Sequence, residues 1–346
     1  MHRSIRRRTV AAMRAAAIAA AAAGAVATSA VALVGATAGA TAGAAWAQAY
    51  PTKPIRLIVP FAPGGGTDLT ARLVGARLTQ RLGQPVVIDN RPAASGVVGA
   101  DLVAKAIPDG HTILTASVTF VISSALQKGL PYDGFRDFAP ITLLIAAPLG
   151  VLVNPSVPAK TMPELIAHAK GQPGRINYGS SGPGSIAHLS TEVMAAMAGI
   201  KLTHVPYKGV AAYTAAVLSN EIQLGLSNLF STESFWKPGR LRLIAHTGTR
   251  RLDTLPDVPT VAESGVPGYD ATIWYGFMAP AKTPPAIVQQ LYREIRAIAE
   301  TPEVRQTLVA QGNDVIANTP QEFAKFIRAE AAKWGDAGRR LGVAIE

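Results

Sequence analysis

The stretch YPTKPIRLIVPFAPGGGTDLTARLVGARLTQRLGQ, residues 50–84, reads as an apolar strand, a three-glycine turn and an amphipathic helix. The apolar run at residues 55–61 predicts a strand buried on both faces of a parallel sheet. Leu69, Leu73, Val74, Leu78 and Leu82 recur at helical spacing, and Gly83 supplies the C-terminal stop. Between strand and helix lie Pro63, Gly64, Gly65, Gly66, Thr67 and Asp68. Glycines let a backbone pass close to a ligand, and a helix start presents unpaired N–H donors with a partial positive charge. The turn therefore has the makings of an anion-receiving corner. A tight strand-to-helix turn with no ligand carries the same pattern, so the rest of the chain has to decide.

Upstream, residues 1–49 hold five arginines (Arg3, Arg6, Arg7, Arg8 and Arg14) and no acid, followed by a long alanine-rich stretch. Ala47-Gln48-Ala49 fits a small-x-small cleavage site, which predicts a secretory signal peptide cleaved near Ala49. A membrane anchor is the alternative, disfavoured because alanine and glycine dominate. The net charge of +11 owes much to this segment: taking its five basic residues from 33 leaves 28 against 22 acids, or +6. The remaining basic residues are scattered, with no stripe interleaved with aromatics, which argues against a nucleic-acid partner. The chain has no cysteine. Disulfides, thiolate zinc sites, a cysteine nucleophile and a lipid-anchored N-terminus are thereby excluded. The expected mature chain of about 297 residues exceeds a comfortable single core and predicts two domains.

Strands and helices alternate along that mature chain, which predicts an α/β class with mainly parallel sheets. Strands are expected at residues 55–61, 86–89 and 111–116, helices at 68–82 and 97–106. An apolar run at 141–153, broken at Pro148, is expected to cross from one domain to the other. The capping box Thr161-Met162-Pro163-Glu164 opens a second set. There a strand at 175–179 leads through Ser180-Ser181-Gly182-Pro183-Gly184-Ser185 into a helix at 186–198. Strands at 202–207, 222–227 and 241–247 and a helix at 211–218 complete it. Residues 273–279 form the return crossing, where Trp274 and Tyr275 are expected to pack the hinge. Three C-terminal helices begin at Thr283-Pro284, Thr301-Pro302 and Thr319-Pro320, each read with Thr at the cap and Pro at the first position. Domain I thus comprises residues 50–150 and 273–346 and domain II residues 151–272, with a ligand cleft between them. An exported protein built this way reads as a hinged solute receptor, a venus flytrap.

Longer motifs run through the mature chain: YPTKPIRLIVPFAPGGGTD (50–68), GQPVVIDNRP (83–92), PDGHTIL (108–114), PYD (131–133), YGSSGPGSIAHL (178–189), HVPYKG (204–209), LPDVPTVAESGVPGY (255–269) and WYGFMAP (274–280). With them the chain resembles the substrate-binding proteins of the tripartite tricarboxylate transporter system, the Bug family. It departs from the family at Ala93-Ala94-Ser95-Gly96, where a glycine-rich stretch is common, and at Gln223, where an Asp is common. The resemblance implies a type II periplasmic-binding-protein fold, location in the periplasm and no cofactor. It implies a mono- or dicarboxylate held by main-chain amides and small polar side chains, and a monomer that delivers this acid to membrane transporter subunits.

The residues themselves nominate the contacts. Ala62, Gly64, Gly65, Gly66 and Thr67 form the first corner, with Asp68 at the helix start; Asp68 is as well explained by helix initiation, since its charge repels a carboxylate. Ser180, Ser181, Gly184 and Ser185 form the second corner, with His188 one turn into its helix; capping and packing are the alternatives. Ser117 and Thr119 follow the third strand, while Tyr207, Lys208 and Gly209 and the pair Ser227 and Asn228 sit at later strand ends. Strand C-termini of an open α/β sheet are where ligands bind.

Enzyme readings fail on spacing. Gly182-x-Gly184-x-x-Ala187 opens a helix as a dinucleotide fingerprint does, yet the next strand ends in Tyr207-Lys208 where a ribose-binding acid is required. There is no G-x-x-x-x-G-K-[ST] loop, and Pro183 breaks any G-x-S-x-G elbow at Ser181. The six histidines form no H-x-x-x-H pair, so no metal is expected. Two alternatives stay open: an exported α/β enzyme acting on a carboxylated substrate in the same cleft, and a receptor that feeds a signalling partner.

Overall fold

Ile55, Leu57, Ile58 and Val59 are wholly buried, as a strand covered on both faces requires. A computed structural model describes residues 50–92 and 94–343; the expected signal peptide lies outside them. From Lys53 onward the described chain forms one compact unit. It opens with β1 (Ile55–Val59), α1 (Gly66–Leu82), β2 (Val86–Asn90), a 3-10 turn (Ala94–Gly96), α2 (Val97–Ala104), β3 (Thr112–Ser117), α3 (Val118–Leu126) and β4 (Phe138–Val153). Then come α4 (Met162–Gly171), β5 (Asn177–Ser180), α5 (Ile186–Ala198), β6 (Thr203–Pro206), α6 (Val210–Leu218), β7 (Leu224–Asn228), α7 (Leu229–Trp236) and β8 (Arg242–His246). The chain finishes with β9 (Thr272–Pro280), α8 (Pro285–Glu300), α9 (Pro302–Ala310), β10 (Asp314–Val315) and α10 (Pro320–Leu341).

Strand direction organises the rest. β1 pairs in parallel with β2 and β3, and β5 in parallel with β6 and β7. Between these groups β9 and β4 run antiparallel, giving the order β2-β1-β3-β9-β4-β7-β5-β6. β8 and β10 also pair with β4. The sheet is therefore parallel only within each group, and antiparallel where the groups join. β3 runs in the direction of β4, whereas β7, β5 and β6 run against it. The C-terminal ends of the two parallel groups consequently point at each other and meet along the middle of β4. Ser117, the end of β3, stands opposite Tyr275, Tyr275 opposite Ile145, and Asn228, the end of β7, opposite Leu149.

β4 does not break at Pro148. It continues for 16 residues, pairing with β9 up to Pro148, opposite Thr272, and with β7 and β8 from there on. The proline, which has no N–H for a ladder, falls at the handover between partners, where it costs least. Two helices, α3 and α7, run straight out of β3 and β7 without the glycine or proline that signals a boundary, and the sequence does not predict them. Trp274 packs as expected, edge-on to Phe323 and Phe326 with its indole N–H on Glu330 at 3.0 Å.

The three threonine–proline starts differ. Thr319 builds a full capping box with Glu322, but α8 takes Pro284 as its cap, and the Thr301 side chain caps nothing. Its hydroxyl donates instead to Ala297 O, four residues back. We expect Thr319→Ala to lower stability by about 1 kcal/mol, and Thr301→Ala to lower it by less than about 0.5 kcal/mol. Urea denaturation of both variants checks this; equal losses would contradict the difference in capping.

Candidate functional site

Where the strand ends meet, a cavity of about 680 Å³, its open mouth included, receives the starts of several helices. Gly65 of α1, Ser117 of α3, Gly209 of α6 and Asn228 of α7 are N-cap residues that line it, and Ile186 brings the first residue of α5 to the wall. Five N-termini thus converge on one space, where the sequence predicted two. Two are capped internally: Ser185 accepts the His188 N–H at 3.3 Å and Asn228 the Ser231 N–H at 3.2 Å. The helices starting at Gly65, Ser117 and Gly209 have no side-chain cap. Their first N–H groups are left for solvent or a ligand.

Hydroxyls add to these amides. Thr67, Ser117, Ser181 and Ser227 line the cavity. Thr67, Ser117 and Ser181 have no side-chain hydrogen-bond partner among the described residues. Ser227 is wholly buried, and although it lies near the Tyr213 hydroxyl, its own oxygen makes no hydrogen bond of normal geometry. Tyr213 donates to Leu226 O at 2.9 Å, and burial pushes its phenol up to about 12. No carboxylate or imidazole lines the space, and its sole charged side chain is Lys208. Lys208 makes no ion pair among the described residues, and it also lines the outer chamber that forms the mouth. Across that mouth Ser95 donates to Pro183 O at 3.0 Å.

Of the residues nominated from sequence, Ala62, Gly65, Gly66, Thr67, Ser117, Thr119, Ser181, Lys208, Gly209, Ser227 and Asn228 come together in the lining. Tyr207 lines only the mouth. Gly64 is exposed to solvent, and Asp68, Ser180, Gly184, Ser185 and His188 stand behind the wall. Asp68 is 2 % exposed and turns away from the cavity. It accepts from the Gly64 N–H at 3.0 Å, Arg72 Nε at 2.9 Å and Asn90 Nδ2 at 2.9 Å. Burial raises its pKa, but these bonds together with Arg72 outweigh it and hold the carboxyl below its ordinary value. Asp68 therefore shapes the glycine turn, and its charge is spent there. Gly64, at φ 87°, supplies the left-handed step of that turn. Gly65 is extended, at φ −82°, so its importance is spatial: a Cβ there would meet only Val210 across the cavity, at 3.9 Å.

The second corner is also backed by a polar layer. Ser180 Oγ lies 2.6 Å from His204 Nε2, Gly184 N–H donates to His188 Nδ1 at 3.1 Å, and the imidazoles of His188 and His204 stack at 3.9 Å. Tyr178 stacks on both and donates to Glu192 at 2.5 Å. Thr119 reaches the wall, but its hydroxyl accepts the Ile186 N–H at 3.4 Å. Tyr275, expected to pack the hinge, lines the cavity instead, as do Leu149, Val210, Tyr213 and Ile273. Sequence reasoning passes over these because an apolar or aromatic residue inside a strand or helix looks like core.

Burial pushes His188 down to about 4; burial, then the neighbouring imidazole, does the same to His204. Both are neutral in the folded protein and take up protons more readily in the unfolded chain, at an ordinary pKa near about 6.5. Their contribution is therefore fully present above that pH and is lost as the pH falls toward 4. We expect the melting temperature to decline through this window, and the double variant His188→Asn, His204→Gln to show a flatter decline. Melting curves from about pH 7 to 4 check this, and parallel slopes would refute it.

Comparisons with known proteins bear on the fold and the family. Protein BugT of Bordetella pertussis is 34 % identical over 302 residues, covering 87 % of this chain and 93 % of BugT. R. palustris Rpa4515, solved with adipate, superposes with a TM-score of 0.83 at 34 % identity, covering 85 % of this chain and 99 % of that one. MatC from Rhodopseudomonas palustris, solved with bound malate, superposes at 0.79 with 29 % identity, covering 83 % and 99 %. The fold is thus that of periplasmic binding proteins of the Bug type. Residues 70–343 match the family described as tripartite tricarboxylate transporter family receptor, and the chain belongs to that family.

Proposed function

We propose that this protein is a periplasmic receptor that captures a small organic carboxylate between two lobes and hands it to a tripartite membrane transporter. The observation that carries this reading is the convergence of helix N-termini on a cavity without an acidic side chain. Each N-terminus stabilises an anion by roughly 0.3–2 kcal/mol, depending on burial. Hydrogen bonds to a charged group add about 1.5–3 kcal/mol each. A few of each reach the ~8 kcal/mol of a micromolar site, without an arginine clamp. Lys208 at the mouth favours approach of an anion. The lobes are residues 50–150 with 273–346, and residues 151–272, joined through β4 and β9; the contacts are the lining residues nominated above.

Supporting considerations come from the relatives, two of which were solved with adipate and malate. The lining holds no carboxylate or imidazole to serve as a general base, which favours a receptor over an enzyme. Among the described residues no helix is long and apolar enough to cross a membrane. Export by the N-terminal signal, release as a monomer and delivery to a transporter complete the proposal.

A carboxylate at about 100 times its Kd should stabilise the protein by ~2.7 kcal/mol. The extended backbone of Gly65 accepts a side chain, so Gly65→Val should fold normally and bind at least tenfold more weakly. Ser181→Ala, which removes one hydrogen bond to the charged carboxylate, should cost about 1.5–3 kcal/mol of binding. Thermal shift with a panel of acids, followed by calorimetry, decides. Stabilisation by neutral sugars or cations alone, or normal binding by Gly65→Val, would overturn the assignment.

A further inference from the structure

Alternation along β9 puts neighbouring side chains on opposite faces. Trp274 goes to the C-terminal helix, edge-on to Phe323 and Phe326. Tyr275 therefore rises from the other face, beside its cross-strand partners Ser117 and Ile145. It is 3 % exposed and lines the anion cavity. The hydroxyl end of its ring is seated at the first residue of α1: a Cβ on Gly66 would collide with Tyr275 Oη and lie 2.8 Å from Cζ. Gly66 is helical and has no positive φ. The turn does not require glycine at this position; the space taken by the phenol does.

Tyr178, Tyr213 and Tyr269, also buried, spend their hydroxyls on the fold, donating to Glu192, Leu226 O and Ser190 O. Tyr275 Oη makes no hydrogen bond among the described residues. A buried hydroxyl without a partner costs stability, and a phenylalanine would fill the same space without that cost. Burial, then the nearby Tyr213, pushes the phenol up. The hydroxyl thus keeps its proton and remains a donor. It stands between two helix starts, at Gly65 and at Ser117, that have no side-chain cap. Donors of three kinds therefore meet there: a phenol, main-chain amides and the Ser117 hydroxyl.

We propose that Tyr275 is a ligand-binding residue whose hydroxyl donates to the carboxylate of the bound acid at the start of α1, beside Ser117. The proposal rests on the carboxylate reading above and adds the place in the cavity where the charge is held. Gly66 lacks a side chain so that the phenol can reach that place.

Calorimetry with succinate and adipate on the wild type and Tyr275→Phe, together with melting curves of both proteins without ligand, tests it. Tyr275→Phe should melt at or above the wild-type temperature, because it deletes an unpartnered buried hydroxyl. It should nevertheless bind the acid about tenfold or more weakly, the usual loss for one hydrogen bond to a charged group. A hydroxyl that serves only the fold would give the reverse pattern. A lowered melt in Tyr275→Phe, or an affinity equal to that of the wild type, would overturn the proposal and leave the carboxylate reading standing. If neither acid binds the wild type, both fall.

Discussion

Strand polarity along β4 is the constraint on which the rest depends. Because β3 runs with β4 and β7 runs against it, the two parallel groups aim their C-terminal ends at one another. A helix that follows a strand begins where the strand ends, so its N-terminus inherits the same direction. The positive potential of the cavity is therefore a consequence of topology. It needs no cluster of basic side chains, and the lining contains only Lys208.

An N-terminus left uncapped costs stability, and the protein leaves three so at this place. Elsewhere Thr161 and Thr319 cap their helices, while the helices starting at Gly96, Pro284 and Thr301 also lack a side-chain cap. What sets the cavity apart is that three uncapped starts share one space. Hydroxyls add to them: Thr67, Ser117 and Ser181 have no side-chain partner among the described residues, and Ser227 is wholly buried without a normal hydrogen bond. Behind them, Asp68 with Arg72 and Asn90 on one flank, and the stacked histidines on the other, hold the loops without intruding on the space. Each flank thus has polar groups that face inward to the loop and donors that face the cavity.

How much of this was legible beforehand depends on what each residue had to signal. The glycine turn, the helix it opens, the second serine-rich corner and the helix ended by Gly199 could be read from spacing, because turn, cap and periodicity are local. So could the polar strand ends Ser117 and Asn228. The helices that follow them could not, since strand passes to helix there without glycine or proline, and Val118 to Ile122 are as suited to a strand by propensity. The role of Asp68 was ambiguous for a related reason: a carboxylate in a glycine turn can face either way, and only Arg72, one turn on, and Asn90, from another strand, decide which.

By itself the sequence determined the α/β class, the arginine- and alanine-rich composition of the first 49 residues, the absence of cysteine and the family motifs, all properties carried by composition or by neighbours along the chain. Only the tertiary structure decided that β4 is continuous, that Tyr275 belongs to the wall, and that five helix starts share one space. These depend on strand register and direction, which bring together residues as distant as Gly65 and Asn228, and no local pattern encodes which strand ends will face each other.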